Sequence, residues 1–158
     1  MRIQKEIEID MGHAVTNHNS KCKHLHGHRY RILVTVDDKL VSSGSSEGMV
    51  IDFSDLKKAM MDVIDRQFDH AFVLWQEDPR AGLIQQAHEM WHNDFDKLTL
   101  LPFVPTAENL ATYWFGLMRG VLLDDYGIRL YQIDVWETPT SCAICTESDY
   151  EQNKGALI

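Results

Sequence analysis

Five of the chain's eight histidines, His13, His18, His24, His26 and His28, crowd into residues 13–28. His26-Gly27-His28 opens a stretch with strand periodicity, and a spacing of two puts both imidazoles on one face. Two side chains on adjacent pleats can reach a single cation. His13, at the end of the preceding strand pattern, offers a third nitrogen. Three neutral imidazoles with one open position describe a catalytic zinc site. The plainer alternative is an accidental cluster of loop histidines, and His18 and His24, between the two strand patterns, read as solvated loop residues. Gly27 leaves the opposite face without a side chain, or marks a close backbone approach.

Other residues near this cluster can move protons. Cys22 lies four residues before His26. A divalent cation beside it would favour the thiolate, as a fourth ligand or as a general base. Asp69-His70 is a carboxylate next to an imidazole, a pairing suited to acid–base work. A helix-end salt bridge explains the same dipeptide.

Two further motifs compete. His88-Glu89-Met90-Trp91-His92 matches H-E-x-x-H, the helical zinc-peptidase signature. A peptidase needs a third ligand in register, and no histidine follows His92, which leaves Glu108 or Glu137. Asp94 adds a charge at a normally apolar position, and His88 falls between Ile84 and Trp91 on an apolar helix face. Cys142-Ala143-Ile144-Cys145 matches C-x-x-C, but on a strand an offset of three sends the thiols to opposite faces. No second C-x-x-C completes a structural zinc site, so these read as packed cysteines.

Composition bounds the rest. The chain has 158 residues, 44% hydrophobic and 25% charged, the size and balance of one globular domain. Fifteen Lys+Arg against 24 Asp+Glu give a net charge of −9. Without a basic stripe, nucleic acid is not the expected partner. An anionic small molecule is still compatible through a locally positive pocket. No apolar run approaches the roughly 20 residues of a membrane span. Residues 1–10 alternate charged and apolar side chains and lack a signal-peptide core. Three cysteines give no disulfide framework, so the expectation is a reducing cytoplasm.

The elements that position these residues follow from periodicity. Ile3, Ile7, Ile9, Met11 and His13 share one parity, giving a strand over Arg2–Met11. His26, His28, Tyr30, Ile32, Val34 and Val36 share another. Residues 37–48 contain VSSGSSEG, a loop, and a short strand is expected at Met49–Phe53. Ser54 is the expected N-cap of a helix from Asp55 to about Gln67, with Leu56, Met60, Val63 and Ile64 inward. A second helix is expected over 80–98, with Ile84, Ala87, Trp91 and Phe95 on one face. Thr106 should cap a third, to about Leu123, with Leu110, Trp114, Leu117 and Val121 inward. Tyr131, Ile133, Val135 and Glu137 share a strand face, and a hairpin at Thr138–Ser141 leads to a last strand near Cys142–Glu147. The order predicts α+β, an antiparallel sheet covered on one face by helices. Its open edges predict self-association.

Taken together, these motifs resemble a known family. Cys22-x-x-x-His26-Gly27-His28, preceded by His13, is similar to the pterin synthases of the 6-pyruvoyltetrahydropterin and 6-carboxytetrahydropterin synthase family. Phe68-Asp69-His70 resembles that family's L-D-H, Pro105-Thr106-Ala107-Glu108-Asn109-Leu110-Ala111 its P-T-x-E-N-L-A, and Trp136-Glu137-Thr138 its late E-T. The resemblance implies that His13, His26 and His28 bind zinc, that Cys22, Asp69 and His70 transfer protons, and that Glu137 anchors the pterin ring. Strand parity independently turns Glu137 inward, where a carboxylate needs N–H donors. Thr106 and Glu108 would join the pocket, although a helix cap and a first-turn acid explain them equally. Lys21 and Lys23 are candidates for triphosphate contact, or simply solvated.

The family's T-fold has a four-stranded antiparallel sheet and two helices. Its subunits join into oligomeric barrels with active sites at subunit interfaces. Three residues between Cys22 and His26 resemble the bacterial branch, which converts 7,8-dihydroneopterin triphosphate to 6-carboxytetrahydropterin in the route to queuosine. Pyruvoyl-forming activity, a non-catalytic zinc and pterin binder, and the peptidase are the alternatives. The whole of 1–158 reads as one such domain. It departs from the pattern at about 75–101, where an extra helix carries the H-E-x-x-H.

Overall fold

The structure is a computed structural model that describes residues 1–91 and 97–157. The expected positions Phe95, Asp94 and His92, and the side chain of Trp91, lie outside the described residues.

Two long strands form the centre, β1 (Arg2–His13) and β2 (His26–Asp37). They pair antiparallel in unbroken register, from Arg2 opposite Asp37 to His13 opposite His26. The two parities read from sequence coincide: Ile7, Ile9, Met11, His13 and Tyr30, Ile32, Val34, Val36 are all buried on one face. Strands β5 (Leu130–Thr138) and β6 (Ser141–Thr146) extend the sheet antiparallel beyond β2.

The sheet has six strands, not four, in the order β4-β3-β1-β2-β5-β6. The additional two are β3 (Ala71–Trp75) and β4 (Lys97–Leu101). β3 pairs parallel to the end of β1, and β4 pairs parallel to β3 from Ala71–Lys97 to Trp75–Leu101. β4 begins at Lys97, inside the helix expected over 80–98, of which α3 (Ala81–Trp91) is the described part. Its expected inward face is only partly covered, with Ile84 half-buried and Ala87 exposed.

Two other local expectations are corrected. Residues 49–52 form no strand. Val50 and Ile51 are buried in an irregular segment, and the loop before them closes on itself through Val41 N–H to Met49 O and Gly48 N–H to Val41 O. The helix cap is Asp52 rather than Ser54. The Asp52 carboxylate accepts from both the Ser54 N–H (2.7 Å) and its hydroxyl (2.6 Å), so α1 begins at Phe53.

Helix α1 (Phe53–Met60) runs through a π-helical turn (Met61–Asp65) into the short α2 (Arg66–Phe68). Leu56, Met60, Ile64 and Phe68 are fully buried at a strict spacing of four. In a regular α-helix that spacing drifts about 40° per step. The wider π turn removes part of the drift and keeps all four on the core face. Helix α4 (Ala107–Tyr126) lies beside it, capped by the Thr106 hydroxyl, which accepts from Asn109 N–H. Gly127, at φ 64°, ends it. There the Gly127 and Ile128 N–H groups turn back to the carbonyls of Leu123 and Leu122. Trp114, Phe115 and Met118 from α4 complete the core with Phe68 and Tyr30. Helix α5 (Glu147–Asn153) closes the chain on a capping box at Thr146. Among the described residues, no helix is long and apolar enough to cross a membrane.

Candidate active site

The β1–β2 register places His13 directly opposite His26, with His28 two residues further along the same face. Ring centroids are 4.5 Å apart for His13 and His26, 5.0 Å for His26 and His28, and 5.5 Å for His13 and His28. One ring nitrogen from each lies within 4.8 Å of the others. Two of the rings are oriented by backbone carbonyls, which can only accept. The His13 Nδ1–H donates to Pro105 O (2.8 Å) and the His26 Nδ1–H to His24 O (2.7 Å). Both Nε2 lone pairs are left for a cation, the arrangement by which outer contacts set the tautomer of metal-binding histidines.

Burial pushes the His13 imidazole below its ordinary pKa, against the opposing pull of the Pro105 carbonyl and Glu137. Burial lowers His28 as well, with Glu137 opposing and His26 and Lys21 adding to the depression. Both are therefore held neutral near pH 7, as a ligand must be. The donor set fits a zinc ion, with three imidazoles and room on the cavity side.

That cavity, of about 340 Å³, is lined by Cys22, Glu137, Thr106, Glu108, His18 and Cys142. Glu137 sits between it and the histidines, with Oε1 3.5 Å from His13 Nε2 and accepting the Tyr30 hydroxyl at 3.2 Å. Tyr30 is fully buried, and burial together with the Glu137 carboxylate pushes its phenol well above the usual range. It serves as a neutral donor. Tyr30 continues the His26–His28 parity, so periodicity could have marked it as part of the site. His18, unassigned in sequence, lines the same cavity, its Nδ1 accepting from Ser20 N–H (3.0 Å). His24 contributes its carbonyl to His26.

Asp69 and His70 are elsewhere. The His70 Nδ1–H donates to Asp69 Oδ2 (2.7 Å), while Asp69 Oδ1 accepts the Asp10 N–H (3.0 Å). Burial works against the Asp69 carboxylate, but the Asp10 amide and His70 outweigh it and hold its pKa below the ordinary value. His70 adopts a left-handed backbone, φ 58°, with its N–H donated to Asp10 O (2.7 Å). Positive φ is uncommon outside glycine, and histidine is, with asparagine and aspartate, among the side chains that adopt it most readily. It turns the ring into a second cavity of about 810 Å³, with Gly12, Gly27, Arg29, Lys97 and His88. Gly12, Gly27 and Arg29 have the parity opposite to the buried face. The structure thus gathers His13, His26, His28, Cys22, Glu137, Thr106 and Glu108 on the helix-covered side. His70 lines the second cavity, which His28 also borders, with Asp69 hydrogen-bonded behind its ring. His88 is half-buried there, Glu89 accepts from Gln85 (3.2 Å), and His92 lies outside the described residues.

Comparison with known proteins shows the family and the fold. The profile of the 6-pyruvoyl tetrahydropterin synthase family matches residues 2–148. A 6-carboxy-5,6,7,8-tetrahydropterin synthase from Haemophilus influenzae is 37% identical over 140 residues, covering 89% of this chain and 94% of the relative. The enzyme of that name from Rickettsia bellii is 32% identical over 139 residues, 88% and 95% of the two chains. Among solved structures, an uncharacterized protein from Wolinella succinogenes superposes with a TM-score of 0.75 at 23% identity, over 93% of this chain and 98% of that one. The Caenorhabditis elegans 6-pyruvoyl tetrahydropterin synthase superposes at 0.62 with 22% identity, over 92% and 94%. The fold is the T-fold, and the chain belongs to the 6-pyruvoyl tetrahydropterin synthase family.

Proposed function

We propose that the chain is a zinc-dependent lyase, a 6-carboxy-5,6,7,8-tetrahydropterin synthase. Its substrate is 7,8-dihydroneopterin triphosphate, its products are 6-carboxytetrahydropterin, acetaldehyde and triphosphate, and it works in the cytoplasm on the route to queuosine. The whole of 1–158 acts as one catalytic domain with an insertion at about 75–101. The observation that carries the reading is the convergence of three imidazoles beside a cavity holding both Cys22 and Glu137. The names of the Haemophilus and Rickettsia relatives support the carboxy-forming product.

His13, His26 and His28 hold the zinc. When bound, it supplies Lewis acidity toward the substrate's side-chain hydroxyls. Glu137, partly buried at the edge of the cavity, accepts the pterin's ring N–H and amino group, and a charged acceptor for two donors fixes the ring in one orientation. Thr106 and Glu108 border the same cavity. Cys22 removes a proton from the side chain. His70, oriented by Asp69, returns or relays one. Cys22 and His70 line separate cavities of one chain, so the complete site forms between copies in a homo-oligomer. His70 of one copy then meets Cys22 of another.

The test is turnover of the triphosphate by zinc-loaded protein, followed by the pterin's ultraviolet absorbance and by acetaldehyde release. Acetaldehyde in step with pterin consumption is expected. A pyruvoyl product without acetaldehyde would assign the other branch. Tight pterin binding without turnover would make the protein a binder. His26→Ala should abolish stoichiometric zinc. Retention there with loss in His88→Ala would overturn the metal assignment.

A further inference from the structure

The loop between β1 and β2 carries Cys22 and is tied internally by backbone bonds and by His18 to Ser20, but among the described residues no side chain of the loop fixes the Cys22 turn to the sheet. Its turn Lys21–Lys23 has no buried residue, and Ser20 provides no side-chain cap. Within the loop, the Val15 N–H reaches Cys22 O (2.9 Å), and the bonds to Lys23 N–H and His24 N–H are local.

An outside group holds it. Asp78, in the turn between β3 and α3, has a side chain with no exposed surface. Its carboxylate accepts the Thr16 hydroxyl (2.5 Å), Arg80 Nε (2.8 Å), the second Arg80 guanidinium nitrogen (2.6 Å) and the Arg80 backbone N–H (2.8 Å). The remaining Arg80 nitrogen donates to Lys23 O (2.8 Å). One fork, buried at the Asp78 carboxylate and partly exposed at the Arg80 guanidinium, therefore grips the loop at Thr16 and at the residue following Cys22. The Arg80 guanidinium, opposed by desolvation, keeps the Asp78 carboxyl ionised far below its ordinary range. A buried ion pair adds little net stability over well-packed apolar residues, but its directed bonds define one geometry.

We propose that Asp78 and Arg80 are positioning residues for the reaction, fixing the Cys22 thiol at the Glu137 cavity through Thr16 and the Lys23 carbonyl. The inference rests on Cys22 as the proton-removing group. It also gives a function to the turn leading into α3, which lies in the proposed insertion at about 75–101.

The test uses zinc-loaded protein and mild variants. Thr16→Val removes one hydroxyl, Arg80→Lys keeps the charge and loses the fork, and Thr16→Ser is the conservative rescue. Each is measured for zinc per chain, for kcat and KM, and for the pH dependence of Cys22 alkylation by iodoacetamide, read on the Cys22 peptide by mass spectrometry. Thr16→Val and Arg80→Lys should keep full zinc, lower kcat roughly 10- to 100-fold with little change in KM, and displace the alkylation profile. Thr16→Ser should restore both. Wild-type kcat in the folded, zinc-loaded variants would overturn the proposal, as would a lower kcat with an unchanged alkylation profile. Full turnover of Cys22→Ala would instead overturn the assignment of Cys22, and the alkylation profiles of the clasp variants separate that failure from this one.

Discussion

Individual residues divide by what their surroundings demand. Glu137 stands beside a buried phenol and a buried imidazole, and its second oxygen is free to face the cavity. Glu137→Gln should therefore lower kcat/KM by roughly 10- to 100-fold while zinc content stays at one per chain. The amide presents a donor where a pterin donor must be met, a mismatch of about 1–3 kcal/mol. Steady-state kinetics with metal analysis checks this. Asp78 makes a pH prediction. Its folded pKa lies below the unfolded value of about 3.9. The stability it contributes is then complete above that unfolded value and lost as pH falls through the folded one. Asp78→Asn should cost about 2 kcal/mol at pH 7. The gap to wild type should persist down to about pH 4 and shrink below it, which urea titrations of the metal-free proteins at several pH values would measure.

At the scale of elements, the two central strands bring the three imidazoles together because they approach closely at one end. Gly27 pairs with Gly12, and a Cβ on Gly27 would lie 3.0 Å from Met11 O, a backbone atom that cannot yield without moving β1. A Cβ on Gly12 would meet the Phe72 ring at 2.5 Å, and a ring at the end of a side chain can turn aside. Gly27→Ala is expected to destabilise by about 1–3 kcal/mol and to weaken zinc binding by parting the strands that carry His13 and His26. Gly12→Ala should leave zinc affinity closer to wild type. Competition with a chromophoric chelator compares the two. The strands were legible because period two is strict when one face is buried. The end of α3 was not. Apolar residues at Leu98, Leu100 and Leu101 suit a helix or a strand until a partner strand is present, and β3 provides it.

For the whole molecule, the separation of Cys22 from His70 predicts complementation. Cys22→Ala and His70→Ala should each be nearly inactive, but subunit exchange between them should restore a fraction of wild-type turnover. On the proposed homo-oligomer, each mixed interface that joins an intact Cys22 to an intact His70 would form one working site. Activity that stays at the level of the single variants after verified exchange would show that the two residues act within one chain. The net charge of −9 makes the local arrangement decisive for a triphosphate. The cavity around His70 holds Arg29 and Lys97, of which Arg29 is paired with Asp10 (2.8 Å) and Lys97 donates to Asp69 O (2.9 Å).

The sequence by itself determined which side chains of the central strands share a face, while on the helices the period placed Leu117 and Val121 inward where Phe115, Met118 and Leu122 fill the core. The strand faces depend on local backbone period, and His26, His28, Tyr30 and Glu137 could be aligned before any contact was known. The tertiary structure alone decided three other matters. It set the register that puts His13 opposite His26, it brought Pro105 O to orient His13, and it joined Asp78 to Thr16 across 62 positions of chain. Such pairings depend on how distant segments pack, and no local period encodes the partner of a buried hydrogen bond.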